Sequence, residues 1–317
     1  MTAHTIDYPG GTTAIDTELG RRRHTAAWLL EQAGRAALIE TGVPLAAGRV
    51  LAVLEQRGIA REAVDWVFIT HIHLDHGGGA GALLAALPNA RLVVHPSGAR
   101  HMVDPSRLMA SATAVYGEAV MRSVYGEMVP VDPARLIEAH DGDRFELAGR
   151  VLQTLDTPGH ARHHYCLWDV QARQLFTGDT FGLCYPELTT ERGPFVLPTT
   201  TPTQFDPAAL RASIERLLAL EAEAVCFTHF GRYGGVAQLG ADLLQRLDQL
   251  VALAEGVAAE ATPSIDRTEL LAGAIRGWLW PALDDHGCRL DDAERQHLLA
   301  MDIELNAQGL ACWLERR

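Results

Sequence analysis

Hydrophobic and polar residues follow two different periods along the chain, and these periods predict a mixed α/β part followed by a helical part. Short apolar runs between turn-forming residues are typical of strands. The stretch TAAWLLEQAGRAALIETG at 25–42 predicts a hairpin of two strands around Gly34, and VDWVFIT at 64–70 predicts a buried strand. Further strand-like runs are RLVVHP, DRFELAG, RVLQTLDTPGH, HHYCLWDV, RQLFTGDT and EAVCFTHFG.

Several segments of the same part have the spacing of amphipathic helices. PLAAGRVLAVLEQRG predicts a helix that stops at Gly58, and GAGALLAALPNA predicts one that ends before Pro88. Residues 107–127 also look helical. DPAALRASIERLLAL begins with Asp206, a good N-cap residue, and Pro207, which suits the first helical turn.

The strand pattern disappears near residue 238, and helical spacing continues to the last residue. Breaks in this spacing are predicted at 261–264 and at 284–290. We therefore predict a mixed α/β domain at 1–240 and a C-terminal helical extension at 241–317.

The charged residues argue against nucleic-acid binding and against lysine-based chemistry. Of the 317 residues, 27 are Lys or Arg and 40 are Asp or Glu, which gives a formal net charge of −13. This acidic balance argues against nucleic acid as a partner, because such proteins usually need a positive surface. The sequence contains no lysine, which excludes a Schiff-base lysine and a P-loop lysine.

The five cysteines form no CxxC pair, which favours a reducing, cytoplasmic setting. The N-terminal stretch MTAHTIDYPGG does not have the pattern of a secretory signal. A run of 18 or so apolar residues, as a membrane span requires, is also lacking. We therefore expect neither export nor membrane insertion.

The most informative motif is THIHLDHGGG at 70–79, which concentrates metal-binding groups in one short loop. His71 and His73 would point to the same side of an extended loop, while Asp75 and His76 lie where the chain turns towards the next helix. Four such groups fit poorly around one small ion. They suit two neighbouring ions better.

Three further candidates follow strand-like runs, where ligands would be held rigidly. They are His160 in DTPGH, Asp179 in FTGDT and His229 in FTHFG. The combined set has nitrogen and oxygen donors but no thiolate, which suits zinc, iron or manganese. Seven ligands shared by two ions leave positions open for water and substrate, which is the catalytic pattern rather than the structural one.

HIHLDH followed by His160, Asp179 and His229 resembles the metallo-β-lactamase-fold hydrolase superfamily over about residues 20–235. The resemblance implies an αββα sandwich with the site at one edge of two sheets. It also implies two divalent metal ions, with zinc favoured over iron or manganese. His71, His73 and His160 would hold the first ion, Asp75, His76 and His229 would hold the second, and Asp179 would bridge them.

The resemblance also implies how the chemistry would proceed. A metal-activated hydroxide between the two ions would attack a carbonyl carbon, because coordination lowers the pKa of water from about 15.7 to about 7. Asp75 would orient the water or relay its proton. His164, four positions after His160, would fix the orientation of a ligand.

For the substrate we expect a small molecule, a thioester or ester with an apolar acyl part. This follows from similarity of layout to thioesterase-like members with C-terminal helices. The segments 107–127 and 183–205 would form the walls of its pocket, and Arg192 and Arg232 would meet an anionic group. The candidate wall residues are Met109, Tyr116, Met121, Tyr125, Tyr185 and Phe195.

Two alternatives stay open. The first is a lactonase or another carbonyl or phosphoester hydrolase of the same fold. The second is a regulatory protein that keeps metals but acts through partners. In the second case the helical tail could form a homodimer face, or its residues could simply pack on the core of the chain. Its candidate residues are Leu298, Leu299, Ile303, Leu310, Trp313 and Leu314.

The glycines of GGGAG at 77–81 could be mistaken for a phosphate-binding loop. Because the P-loop lysine is absent, we interpret them instead as small residues that let the loop and the following helix pack closely.

Overall fold

Two β-sheets contain most of the alternating segments of the sequence in the computed structural model, which describes residues 3–200, 202–260 and 266–317. The chain divides into two compact units. The first contains the residues up to Asp156 together with His163–Gly178 and Ala222–Gly234. The second contains Thr157–Arg162, Asp179–Glu221 and the residues from Gly235 onward. The domain boundary predicted near residue 240 stays a prediction.

The first sheet has seven strands in the order of the sequence. They are β1 (Thr5–Tyr8), β2 (Thr12–Asp16), β3 (Ala26–Gln32), β4 (Arg35–Ile39), β5 (Val64–Phe68), β6 (Arg91–Val94) and β7 (Leu136–Glu138). Strands β1 to β4 pair antiparallel, and β4 to β7 pair parallel. The parallel pairing aligns the carboxyl ends of β4 and β5, which lead into Glu40 and the HIHLDH loop.

The second sheet has six strands in the spatial order β13-β12-β11-β10-β9-β8. They are β8 (Arg144–Leu147), β9 (Arg150–Asp156), β10 (Tyr165–Asp169), β11 (Gln174–Phe176), β12 (Ala224–Phe227) and β13 (Gly231–Tyr233). All neighbours pair antiparallel except β11 and β12, which are parallel.

The two sheets share an apolar core rich in aromatic rings. Trp28 from β3 contacts Phe176 from β11 with ring centroids 5.6 Å apart, and Phe68 from β5 meets Phe145 from β8 edge to face at 5.3 Å. Such edge-to-face pairs add to the stabilisation that burial provides. A second core forms where the first sheet packs on its helices.

The helices of the first unit are short. They are α1 (Ala47–Gln56), α2 (Leu74–Gly77), α3 (Ala80–Ala86), α4 (Pro96–Val103), α5 (Ser106–Tyr116) and α6 (Glu118–Val120), with a π-helical turn at Met121–Tyr125. The second unit contains longer ones. They are α7 (Pro207–Leu218), α8 (Val236–Glu260), α9 (Arg267–His286) and α10 (Asp292–Glu315). The two sheets with their helices and the helical region after them confirm the predicted αββα sandwich with a C-terminal extension.

Most predicted elements are confirmed. Asp206 caps α7, since its Oδ1 accepts hydrogen bonds from the backbone N–H groups of Ala208 and Ala209. The break predicted at 261–264 lies outside the described residues. Helix α9 continues through Pro281 to His286, one turn beyond the predicted segment.

The close packing predicted for the GGGAG glycines is also confirmed. A Cβ at Gly78 would lie 2.3 Å from the carbonyl oxygen of Leu74, and one at Gly81 would lie 1.8 Å from that of Val129. Side chains are therefore excluded here by backbone contacts. Among the described residues, none of the helices is both long and apolar enough to cross a membrane.

Candidate metal centre

The HIHLDH loop begins directly after the buried strand β5 and ends in the short helix α2. His73 is the N-cap residue of this helix, so Asp75 and His76 lie within its single turn. The side chains of His71 and His76 are inaccessible to solvent, whereas Asp75 keeps 22% of its side chain exposed. The inner side of the loop is therefore shielded from solvent, and Asp75 is its accessible carboxylate.

Within the first unit, five of the predicted ligands lie close together. His71 Nε2 is 2.7 Å from His73 Nδ1. Asp75 Oδ2 is 3.5 Å from His76 Nε2 and 3.3 Å from His229 Nε2. One donor atom each from Asp75, His76 and His229 lies within 4.8 Å of the other two, which is a spacing that could hold an ion.

Glu40 is a member of this cluster that the sequence analysis missed. Its carboxylate is fully buried and accepts a hydrogen bond from His76 Nδ1 at 2.9 Å. The backbone N–H of Thr70 and the hydroxyl of Thr228 also donate to it. A bond at Nδ1 leaves His76 Nε2 as the nitrogen available to a cation, which is the usual arrangement of metal-binding histidines.

The backbone of Glu40 supports the same interpretation. Its φ angle is 63°, in the left-handed region that residues other than glycine seldom adopt. Such strain tends to be retained where a functional contact requires it. The sequence feature that could have pointed to Glu40 is its position as an acidic residue at the end of an apolar strand.

His229 is oriented by the backbone of a neighbouring segment. The carbonyl oxygen of His24 accepts a hydrogen bond from His229 Nδ1 at 3.1 Å, so that His229 Nε2 faces Asp75. The imidazole of His24 itself lies 5.6 Å from that of His229. Burial lowers the pKa of His24 to about 4, with a smaller contribution from His229, so its ring is neutral at neutral pH.

His164 lies beside the loop, and its predicted role in positioning a ligand stays a prediction. Its ring is fully buried and stacks on that of His71, with centroids 4.8 Å apart and an angle of 30°. Gly178 packs against both His164 and Thr70. A Cβ at Gly178 would be 2.6 Å from His164 Nε2 and 2.3 Å from Thr70 Oγ1.

The other two predicted ligands, His160 and Asp179, belong to the second unit and face each other there. His160 Nε2 lies 3.3 Å from Asp179 Oδ2. The hydroxyl of Thr199 donates to the carbonyl oxygen of Asp179 at 3.0 Å and lies 3.1 Å from His160 Nδ1. Thr199 thus contacts both residues, and His160 Nε2 faces the carboxylate.

Helix α10 holds the segment that carries Thr199. The Asn306 side chain accepts a hydrogen bond from the backbone N–H of Thr200 and donates one to the carbonyl oxygen of Pro198. The hydroxyl of Thr200 donates to the Asn306 carbonyl oxygen. The 183–205 loop, which contains this segment, is therefore fixed to the helical tail on both sides of Thr199.

The donor set fits divalent metal ions. Imidazole and carboxylate groups are the ligands that zinc, iron and manganese share. The Nδ1 atoms of His76 and His229 are engaged by Glu40 and by the His24 carbonyl oxygen, as is typical of metal-binding imidazoles.

The candidate pocket residues lie in two places. In the first unit, the rings of Tyr116 and Tyr125 stack with centroids 4.9 Å apart. In the second unit, Tyr185 and Phe195 are fully buried, and the Tyr185 hydroxyl donates to Asp302. Arg192 is exposed, while Arg232 donates from Nε to Gln174.

The residues that were candidates for a dimer face are mostly covered by their own chain. Leu299 and Leu310 have no exposed surface, and Ile303 is 2% exposed. Trp313 and Leu314 keep partial exposure. A homodimer face made by these residues stays a prediction.

Residues 20–229 match the family model described as the metallo-beta-lactamase superfamily, and the chain belongs to this superfamily. A metallo-beta-lactamase fold-containing protein of Sulfurisphaera tokodaii is 30% identical over 54% of this chain and 62% of its own length. A hydroxyacylglutathione hydrolase of a Synechococcus strain is 32% identical over 43% of this chain and 41% of its own length. The match thus spans less than two thirds of either relative.

A solved structure shows the same fold over nearly the whole chain. The archaeal metallo-beta-lactamase superfamily protein from Sulfolobus tokodaii superposes with a TM-score of 0.63 and 22% sequence identity, covering 98% of both chains. The helical region after the sheets is therefore part of a layout that another protein of this fold shares.

Proposed function

We propose that this protein is a metal-dependent hydrolase that cleaves thioesters or esters with an apolar acyl part. Two cations would be bound by the seven predicted ligands. His71, His73 and His160 would hold the first, Asp75, His76 and His229 would hold the second, and Asp179 would contribute to both. The main support is the cluster of Asp75, His76 and His229, whose donor atoms lie within 4.8 Å of one another.

When bound, divalent cations at these residues would lower the pKa of a water molecule and polarise the carbonyl oxygen of the substrate. The residues of the chain do the remaining work. Glu40 and the His24 carbonyl oxygen keep His76 and His229 in the tautomer that presents Nε2. Asp75 is the partly exposed carboxylate of the cluster, so it can both bind a cation and exchange a proton with solvent.

A named relative, a sequence stretch and an aromatic pair bear on the substrate. The relative from Synechococcus is a hydroxyacylglutathione hydrolase, which acts on an acyl group carried by glutathione. The stretch GDTFGLCYPEL after β11 departs from the GCGR-like stretch of glyoxalase II-like enzymes. Tyr116 is half-buried and stacks on the buried Tyr125, so one ring of this pair can contribute an apolar surface for the acyl part. We therefore favour an apolar acyl group on a carrier other than glutathione.

The test combines metal analysis with a substrate panel. Freshly purified protein is assayed for bound metal and then against acyl-CoA, acylglutathione, lactone and phosphodiester substrates. We expect thioester or ester turnover that falls with chelation and returns when metal is added back. His71→Ala should lose both metal and turnover, whereas His297→Ala, which changes an exposed histidine of α10, should retain both.

Full turnover by metal-free protein would contradict the proposal. Turnover of the lactone or the phosphodiester alone would keep the metal-dependent hydrolase and reject the thioester or ester substrate.

A further inference from the structure

A cavity of about 570 Å³ lies within the second unit, between the residues around Gly159, the first turn of α7 and the last turn of α10. Its volume falls in the range of small-molecule sites, roughly 300–1,000 Å³. Three arginines line it, namely Arg162, Arg316 and Arg317. In a chain of net charge −13 without lysine, this is a local concentration of positive charge.

The partners of these arginines leave much of that charge uncompensated. Arg316 donates from Nη1 to the carbonyl oxygen of Thr203 and from Nη2 to that of Phe205, and both acceptors are neutral. These bonds fix the guanidinium in place and use part of its donor capacity. Arg317 pairs with Glu255 at an exposed position, where solvent weakens the interaction.

One acidic residue, Asp206, also lines the cavity. Its carboxylate is already committed to the N-terminus of α7, where it accepts hydrogen bonds of 3.1 Å from the N–H groups of Ala208 and Ala209. Because the helix N-terminus is electropositive, it offsets the charge of this carboxylate. The field in the cavity is therefore set by the arginines.

The cavity also contains a partly exposed indole. Trp313 is held edge to face by Phe205, with ring centroids 6.2 Å apart, and the Arg317 guanidinium carbon lies 4.9 Å from the centre of a Trp313 ring. Aromatic side chains stack on the bases of nucleotides, and arginine pairs with phosphate through several N–H donors. An indole beside guanidinium groups therefore suits a ligand that has both a heteroaromatic base and phosphate.

We propose that this cavity binds a nucleotide group, with the phosphates on Arg162, Arg316 and Arg317 and the base at Trp313. The inference does not depend on the proposed hydrolase activity. A ligand in this cavity would nevertheless lie close to the proposed metal centre, because Gly159 lines the cavity and directly precedes His160, a proposed cation ligand. The group can come from a free nucleotide or from an acyl carrier that contains one, such as coenzyme A.

The experiment is calorimetric titration of the full chain, both metal-loaded and chelator-treated, with ADP, adenosine, pyrophosphate and coenzyme A. We expect one ADP site, with adenosine and pyrophosphate each bound about tenfold or more weakly, because each lacks one half of the recognised group. Arg162→Gln should weaken ADP binding about fivefold or more through loss of a phosphate contact. Arg317→Gln should have a similar effect, and because both side chains are at the surface the fold should be preserved.

The matched control is Arg276→Gln, which changes an exposed arginine of α9 outside the cavity and should leave ADP binding unchanged. Absence of ADP binding at millimolar concentration would overturn the proposal. So would equal affinity for ADP and pyrophosphate, or unchanged affinity in both Arg162→Gln and Arg317→Gln. Tighter binding of coenzyme A than of ADP would support the carrier as the source, and equal binding would support the free nucleotide. A protein that binds ADP but hydrolyses no substrate would contradict only the proposed function.

Discussion

Glu40 Oε1 lies 2.9 Å from Nδ1 of His76, and both side chains are shielded from solvent. The contact joins the end of β4 to the HIHLDH loop that follows β5, and parallel pairing of the two strands brings these ends together. A buried carboxylate is costly unless it is well bonded. Here it receives hydrogen bonds from a histidine, a backbone N–H and hydroxyl groups.

We predict that Glu40→Gln lowers the affinity for the cation held by His76 about 10- to 100-fold. The amide removes the negative charge and can donate to His76 instead of accepting from it, which would disturb the tautomer. Competition against a chelator of known affinity measures the change. Glu55→Gln, at an exposed position of α1, is the matched control. Unchanged cation affinity in Glu40→Gln would show that Glu40 only supports the fold.

A second prediction concerns the number of cations. If Asp75, His76 and His229 hold one ion of a pair, His229→Ala should lower the bound metal from about two ions to about one per chain, because each catalytic ion usually has about three protein ligands. Elemental analysis after dialysis against metal-free buffer gives the stoichiometry. A stoichiometry of one in the unaltered protein would rule out the dinuclear centre.

The sequence predicted the histidines and the aspartate that lie together in the first unit, but it did not predict Glu40, which contacts one of them. The HIHLDH motif is local, so its spacing can be read directly, and five predicted ligands do lie together in the first unit. Glu40 could not be found in this way, because its role depends on the pairing of β4 with β5. That pairing is a long-range property.

Strands β1, β2, β7 and β13 were not predicted. Strand β2 is buried, but its sequence TTAID has three polar residues and therefore no apolar run. The hairpin of β3 and β4 and the buried strand β5 have long apolar runs, and all three were predicted. Strand β1, with the sequence TIDY, is largely exposed, and β13 has only three residues. Strands of this kind bury little apolar surface, so their formation depends on a neighbouring strand rather than on their own pattern.

A third prediction tests the close packing behind His164. Gly178 has a φ of +47°, and a Cβ there would collide with Thr70 and His164. Gly178→Ala should therefore lower the free energy of unfolding by about 2–4 kcal/mol, from overpacking together with backbone strain. Urea unfolding followed by circular dichroism measures it.

Gly58→Ala separates the two causes, since Gly58 has a φ of +66° but no atom within 4 Å of the added Cβ. Gly58→Ala should lower the free energy of unfolding by only about 1 kcal/mol, because it adds backbone strain without a steric contact. An equal loss in both variants would mean that the contact with His164 contributes nothing.

The last prediction concerns Asn306, which is 2% exposed and connects α10 to the segment 198–200. Asn306→Leu would remove the hydrogen-bond partner of the Thr200 N–H and of the Pro198 carbonyl oxygen. We expect the free energy of unfolding to fall by about 1–3 kcal/mol for each of these buried groups. Because Thr199 contacts both His160 and Asp179, we expect weaker cation binding in addition to lower stability. Both quantities are measured on the same protein, by denaturant unfolding and by chelator competition.

Gln308→Ala is the matched change on the same helix, since Gln308 bonds only to the exposed Glu304 in the contacts described here, and it should alter neither quantity. A loss of stability without any change in cation affinity would make Asn306 a purely structural residue. A loss of both would mean that the helical tail tunes the metal centre through Thr199. The C-terminal helices would then be part of the catalytic apparatus, because the hydrogen bonds of one buried asparagine would set the position of two cation ligands.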